Sequence, residues 1–293
     1  MRAIEFFSGI GGFSFATRRF SDLEICAAWD NSAHVVEVYN KNHLSPAKQK
    51  NLDVIKMGDI DALEADLWWM SPPCAPYTRR GKQKHLNDHR TKSFLRLIEM
   101  ASQLRPKYLL LENVAGFEFS RARGVLKNRM QGYQFWDGVL CPRVLFGLPN
   151  RRKRYYAILS RIDKEGEKAL EICAPKALEK KRCSSFLGAQ NRILVPNEVL
   201  KKYEKAMLIV DENADDLSCF TGAYAKSWVF SGSYLRSERG VEIFAPEDVG
   251  RLLGFPEDFV WPAQTTLRQK YKYLGNSLSI PMIEFLISEV LID

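Results

Sequence analysis

Short apolar runs alternate with amphipathic stretches through the first half of the chain. Residues 3–7, 24–29, 67–71, 108–111, 135–140 and 154–160 have the length and apolar content of strands. Residues 12–20, 33–40 and 91–104 carry their apolar positions at helical spacing. Strands alternating with helices predict an α/β chain with a mostly parallel sheet covered on both faces. From about residue 161 the pattern changes. Residues 161–182 are rich in Lys and Glu, and no βα alternation is visible up to about residue 245. The pattern returns at Pro246 and ends in an apolar helix over 281–290. The chain is therefore expected to carry one domain built from 1–160 and 246–293, and a smaller one from 161–245.

The composition suits that organisation. Of 293 residues, 46% are hydrophobic, enough for one substantial core and a lesser one. The net charge of +8 adds a partner: a basic chain favours an anionic one, nucleic acid ahead of a membrane surface. Cys26, Cys74, Cys141, Cys173, Cys183 and Cys219 form no CxxC pair, so no zinc site is expected and the thiols read as reduced and intracellular. His85 and His89 lack the Glu of an HExxH metal motif. The first residues do not read as a signal peptide, and no apolar stretch approaches a membrane span. A cytoplasmic protein without metal or membrane contact is expected.

The first strand runs into Ser8-Gly9-Ile10-Gly11-Gly12 and then a helix. Glycines let such a turn bend sharply and approach a ligand at the carboxyl end of a sheet, although a tight structural turn has the same composition. The spacing is GxGG, not GxGxxG, and the Lys of a P-loop is missing, which points away from NAD and ATP. The second strand ends Ala27-Ala28-Trp29-Asp30. Asp30 can accept from ribose hydroxyls, and the indole can stack on a purine. Asp53 can bond an adenine amino group. Each acid equally suits a solvated surface.

The strongest local signal is Ser71-Pro72-Pro73-Cys74-Ala75-Pro76, after the apolar run Leu67-Trp68-Trp69-Met70. Three prolines within five residues fix the backbone around one cysteine, which suits the presentation of a nucleophile. Arg79, Arg80, Lys82 and Lys84 follow and would favour both a thiolate and a phosphate backbone. The next strand ends in Glu112-Asn113-Val114. A carboxyl at the rim of a sheet can have its pKa raised by burial, and in its protonated form it can donate to cytosine N3 while accepting from the N4 amino group. Uracil shows the opposite pattern, and mispairing a buried polar group costs roughly 1–3 kcal/mol. Finally, Arg152 and Arg154 lie two apart before a strand, so an extended chain would place both on one face.

In order along the chain, Phe7-Ser8-Gly9-Ile10-Gly11-Gly12, Pro72-Pro73-Cys74, Glu112-Asn113-Val114, Arg152-Lys153-Arg154, Arg251-Leu252-Leu253-Gly254-Phe255-Pro256 and Gly275-Asn276-Ser277 resemble the motifs of the cytosine-5 methyltransferase family. The run Tyr77-Thr78-Arg79-Arg80-Gly81-Lys82-Gln83, the stretch Arg90-Thr91-Lys92-Ser93-Phe94, Asn150, and Cys219-Phe220-Thr221 with Tyr224 resemble its tRNA-methylating branch. Five positions depart from the family pattern: Ala75 for Gln, Tyr77 for Phe, Ala28 for an acid, and Gly222-Ala223 for more basic residues.

The resemblance implies a Rossmann-like S-adenosylmethionine-dependent methyltransferase fold, with 161–245 as a target-recognition domain. It implies cofactor contacts at Phe7, Gly9, Ile10, Gly11, Gly12, Asp30, Asp53, Val54, Ser71, Asn276 and Ser277. Cys74 would add to C6 of a flipped cytosine, with Glu112 at N3 and the amino group. Arg152 would hold the base's carbonyl, and Arg154 would order the loop. Arg79, Arg80, Lys82, Cys219, Phe220, Thr221 and Tyr224 would meet the acceptor. That acceptor is expected to be cytosine 38 in a tRNA anticodon stem-loop, the aspartate tRNA by default, bound by a monomer. A DNA cytosine-5 methyltransferase and an inactive nucleic-acid-binding module are the alternatives.

Overall fold

Among the described residues ten strands follow in chain order: β1 (Arg2–Phe6), β2 (Glu24–Asp30), β3 (Lys48–Gln49), β4 (Leu67–Met70), β5 (Tyr108–Val114), β6 (Tyr133–Leu140), β7 (Arg154–Arg161), β8 (Leu208–Val210), β9 (Ser233–Ser237) and β10 (Gly240–Ile243). Ten helices accompany them: α1 (Gly12–Thr17), α2 (Ala33–Asn42), α3 (Met57–Asp61), α4 (Lys92–Leu104), α5 (Arg121–Arg129), α6 (Pro142–Phe146), α7 (Asn197–Tyr203), α8 (Pro246–Leu253), α9 (Leu267–Asn276) and α10 (Ile280–Leu291). The computed structural model describes residues 1–77, 88–163, 172, 178–189 and 191–291. The chain divides into two compact units.

The first unit comprises Met1–Leu140, Arg154–Cys173 and Glu284–Asp293. Its sheet has the order β3-β2-β1-β4-β5-β7-β6. β3, β2, β1, β4 and β5 pair in parallel, and β7 runs antiparallel to both β5 and β6. Burial on both faces explains the unbroken apolar run of β4, whose four residues are all buried. Ile4, Phe6, Trp68, Met70, Leu109 and Leu111 share one core with Phe94, Leu97 and Ile98 of α4 and with Leu126 of α5. On β4 the neighbouring Trp69 stacks instead on Phe13 of α1, ring centroids 4.9 Å apart. This is the expected α/β fold, with β5 extended three residues beyond its predicted end. Those residues, Glu112 to Val114, pair with Tyr156, Tyr155 and Arg154 of β7.

Glu5 sits fully buried on β1. Its carboxyl accepts from Ser14 Oγ at 2.5 Å and from Tyr39 OH at 3.2 Å, and Ser14 also bonds Tyr39. The three side chains join β1, α1 and α2 through polar contacts inside an apolar layer. Burial pushes the Glu5 carboxyl up from its ordinary 4.5 to about 8, against the lowering effect of its hydrogen bonds.

The second unit comprises Cys141–Lys153 and Ala174–Ile283 and holds the sheet β10-β9-β8. The division falls at points other than those composition suggests: 141–153 and 246–283 belong with the intervening segment. Asp248 of α8 supplies one reason. Fully buried, it accepts from Arg192 at 2.6 and 3.1 Å, from Arg251 at 2.8 Å, and from the N–H groups of Gly188 and Ala189 at 3.0 and 3.2 Å. A buried carboxylate with this many donors ties α8 to Gly188, Ala189 and Arg192. A second correction concerns apolar length. Leu267–Leu291 contains an 18-residue window long and apolar enough to cross a membrane, although 61% of that window is buried inside the protein. Tyr271, Leu274, Met282, Ile283, Leu286 and Ile287 are core residues, so the segment reads as core helix.

Because folding raises the Glu5 pKa, its protonated form stabilises the native state. That stabilisation is complete below pH 4.5 and is lost as pH rises through about 8. Glu5→Gln stays neutral, so its melting temperature relative to the parent should climb between about pH 5 and about pH 9. Parallel melting profiles for the two proteins would show that Glu5 carries no proton into the folded chain.

Candidate active site

In the parallel part of the sheet, β1, β4 and β5 are consecutive neighbours, so their carboxyl ends share one edge. The Gly-rich turn follows β1, the Pro-Pro-Cys loop follows β4, and Glu112 lies near the end of β5. Asn113 donates to the Pro72 carbonyl at 3.0 Å and so fastens the Pro-Pro-Cys loop to β5. Beyond Cys74 the chain closes a turn in which the Tyr77 N–H donates to the Cys74 carbonyl at 2.9 Å. The buried Tyr77 ring meets Phe117 edge-on at 4.8 Å, and its hydroxyl is hydrogen-bonded to Thr91. The hydroxyl that distinguishes Tyr77 from the family's Phe thus has a partner. Cys74 itself is half-buried, and it interacts electrostatically with Arg90. Arg90 is clasped by both oxygens of Asp88, at 2.8 and 2.7 Å.

Glu112 is 8% exposed. Arg154 faces Val114 across the β5–β7 pair, one alternate position from the Glu112–Tyr156 pair, so Glu112 and Arg154 share a face. Their side chains form an ion pair at 3.2 Å.

The turn after β1 is strained where a ligand would approach. Phe7 has φ +57°, in the left-handed region that costs a bulky residue energy. Its carbonyl accepts from Ser71 Oγ at 3.0 Å. Gly9 and Gly11 also have positive φ, and a Cβ on Gly11 would overlap the His43 ring. That ring packs between Phe15 and Tyr39, where burial lowers its pKa to about 4 and keeps it neutral. Asp30 accepts from the N–H groups of Gly9 at 3.1 Å and Ser32 at 2.9 Å. Burial raises the pKa of Asp30. Asp53 accepts from Ser93 at 2.6 Å, beside Val54, which is 66% exposed. Trp29 is buried, with Lys50 4.5 Å over its ring, so the indole is covered rather than open to a purine. The hydroxyl of Ser8 is buried without a hydrogen-bond partner. An unsatisfied donor beside a strained aromatic and exposed apolar surface fits a polar cofactor with an apolar base.

Three expectations are corrected. Arg152 and Arg154 do not share an extended face. The N–H groups of Asn150, Arg152 and Lys153 each donate two residues back, to Leu148, Asn150 and Arg151, so the chain coils until β7 begins at Arg154. Nor does Arg152 present its guanidinium to a base. It is 2% exposed and donates to the carbonyls of Phe220 (3.4 Å), Gly275 (3.2 and 3.3 Å) and Ser277. The roles expected of the two arginines are thereby exchanged: Arg152 orders a loop and Arg154 stands with Glu112. Third, Phe220 and Tyr224 are each 2% exposed, and the Tyr224 hydroxyl donates to the Ser233 carbonyl at 2.6 Å and accepts from Phe244 N–H at 3.0 Å. These two are core residues, with no surface to offer an acceptor.

Cys219 is half-buried, 3.8 Å from Arg152 Nη1, and Thr221 is half-buried. Gly275 packs so tightly on Thr221-Gly222 that a Cβ would overlap their backbone. Asn276 is exposed and Ser277 buried beside this contact. Arg79, Arg80 and Lys82 lie outside the described residues. Sequence reading did not single out Asp88, whose partner Arg90 is two residues away, nor Asp248 or the Asn113–Pro72 bond, each of which acts through a partner distant in sequence. No group of three or more metal-ligating side chains occurs among the described residues.

The family profile described as C-5 cytosine-specific DNA methylase matches residues 1–291. A Schizosaccharomyces pombe protein named tRNA (cytosine(38)-C(5))-methyltransferase is 32% identical, covering 99% of this chain and 97% of its own length. A Dictyostelium discoideum protein named DNA (cytosine-5)-methyltransferase is 27% identical, covering 98% and 93%. The crystal structure of S. pombe Dnmt2 methyltransferase superimposes with a TM-score of 0.88 at 31% identity, covering 99% of this chain and 98% of that one.

Arg152→Ala would leave buried carbonyls without a donor, each costing about 1–3 kcal/mol. It should lower the melting temperature clearly, whereas Arg154→Ala should lower it much less. Equal losses would mean that the two arginines are equivalent.

Proposed function

Since the chain belongs to the C-5 cytosine-specific methylase family and is a methyltransferase, we propose that its acceptor is cytosine 38 of a tRNA anticodon loop, methylated at C5 through a covalent bond to Cys74. One observation carries the chemistry: a cysteine on a proline-fixed loop, fastened by Asn113 beside the Glu112–Arg154 pair at one edge of the sheet. The Cys219-Phe220-Thr221 pattern and the fission-yeast relative support the tRNA acceptor. An anticodon loop also suits base extrusion, because its bases are unpaired and cost less to unstack than those of a duplex.

Phe7, the backbone of Gly9 to Gly12, Asp30, Asp53, Val54 and Ser71 would hold S-adenosylmethionine. When bound, that group supplies an electrophilic methyl for C5. The chain's own residues do the rest. The Cys74 sulfur gives an electron pair to C6, and the ring's C5–C6 pair moves to C5. Arg90 favours the thiolate form by its charge. Glu112 bridges N3 and the exocyclic amine, so that charge entering the ring meets a proton at N3. Arg154 holds the protonated Glu112 carboxyl in place and reaches for the base's carbonyl. After transfer C5 gives its proton to solvent water, the C5–H electron pair re-forms the C5–C6 double bond, and the Cys74 sulfur leaves with its pair.

Labelled methyl transfer to tRNA and to duplex DNA, measured side by side, tests the acceptor. Transfer to tRNA with mapping to cytosine 38 is expected, and transfer confined to DNA would overturn it in favour of the Dictyostelium relative's named substrate. Cys74→Ala should abolish transfer while leaving S-adenosylmethionine binding near the parent value. Undiminished turnover in that variant, or a 5-fluorocytosine RNA adduct at a different side chain, would remove Cys74 from the mechanism.

A further inference from the structure

The stretch after Thr221 holds a feature that the chemistry above does not use. Phe230 is 74% exposed, and its backbone is left-handed at φ +59°. Single apolar residues on a surface are ordinary. A large aromatic in left-handed backbone is not, because glycine or asparagine would adopt it without the steric cost. Phe119 is still more exposed, at 85%, but its backbone is not left-handed.

The surroundings hold Phe230 in this conformation. Its neighbour Ser231 is buried, its carbonyl accepting from Thr221 N–H at 2.8 Å and its hydroxyl donating to the Ser227 carbonyl. Ser227 N–H donates to Ala223 at 2.8 Å, and Ser227 Oγ to the Val229 carbonyl at 3.3 Å. Tyr234 OH donates to the Trp228 carbonyl at 3.1 Å, and the Gly232 backbone lies against the Tyr224 ring. The backbone is thus fixed on both sides of one projecting ring, with the exposed Lys226 four residues away. Strain retained by this many contacts marks a presented side chain rather than a loose loop.

We propose that Phe230 is a stacking platform for an unpaired base of the RNA acceptor other than the target cytosine. The proposal rests on the tRNA reading above. A pre-positioned aromatic face binds any base without losing loop entropy. A chain with net charge +8 favours that occupant over another protein's apolar surface.

The test uses the full chain and a synthetic anticodon stem-loop with cytosine at position 38. Its Kd is read by fluorescence anisotropy and its KM by methyl transfer. Phe230→Gly should melt close to the parent temperature, because the backbone strain leaves with the ring. It should raise both Kd and KM between about fivefold and about a hundredfold, the range for loss of one base stack, with S-adenosylmethionine affinity unchanged. Phe230→Tyr and Phe230→Trp should bind as the parent does. An abasic scan of the loop should find one position whose base matters to the parent and not to Phe230→Gly. A normally folded Phe230→Gly with parental Kd overturns the proposal, as does a large fall in its melting temperature, which would make the ring a packing residue. Failure of the tRNA reading appears separately, as a parent protein that does not methylate the stem-loop, while the ratio of Kd values still judges Phe230.

Discussion

Parallel pairing of β1, β4 and β5 is the constraint on which the catalytic arrangement depends. Three strands running the same way as immediate neighbours must end at one edge, and whatever follows each strand is delivered there. The Gly-rich turn, the Pro-Pro-Cys loop and Glu112 are far apart in sequence but emerge from that edge. The antiparallel return of β7 then brings Arg154 to Glu112 from the opposite direction. An all-parallel continuation would have placed the beginning of that strand at the far end of the sheet.

Sheet geometry brings these segments near one another, and buried polar contacts settle their conformation. The Asn113–Pro72 bond fastens the nucleophile's loop, and the Tyr77–Phe117 contact fills the space behind it. Glu5, Ser14 and Tyr39 brace the layer behind the Gly-rich turn. In the second unit, Arg152 and Asp248 do comparable work, each gathering several backbone groups around one buried charge. Such centres are costly to bury, and the hydrogen bonds they make offset that cost, so the segments they gather are held in one arrangement. This accounts for the differing unit boundaries: 141–153 and 246–283 go with the charges that hold them.

Local signals alone were enough to locate six of the seven strands of the larger sheet, the Gly-rich turn, Cys74 and Glu112, but not the two-residue β3 or the strands of the second sheet. Strand alternation depends on neighbours two residues apart, and the proline-fixed cysteine on residues one or two away, so both can be read from a linear chain. The same holds for the existence of a second domain, since its composition changes at once near residue 161.

The roles of Arg152 and Arg154, the burial of Phe220 and Tyr224, and the covering of Trp29 lay beyond such reading. Each depends on groups tens of residues away, and a guanidinium or an aromatic ring serves equally well in a core or at a site. The residue types in the chain determined which chemistry is available and which sheet edge displays it. Tertiary packing decided which of the candidate side chains remain accessible, because burial and long-range hydrogen bonding are properties of the folded surroundings and leave no periodic trace in the sequence.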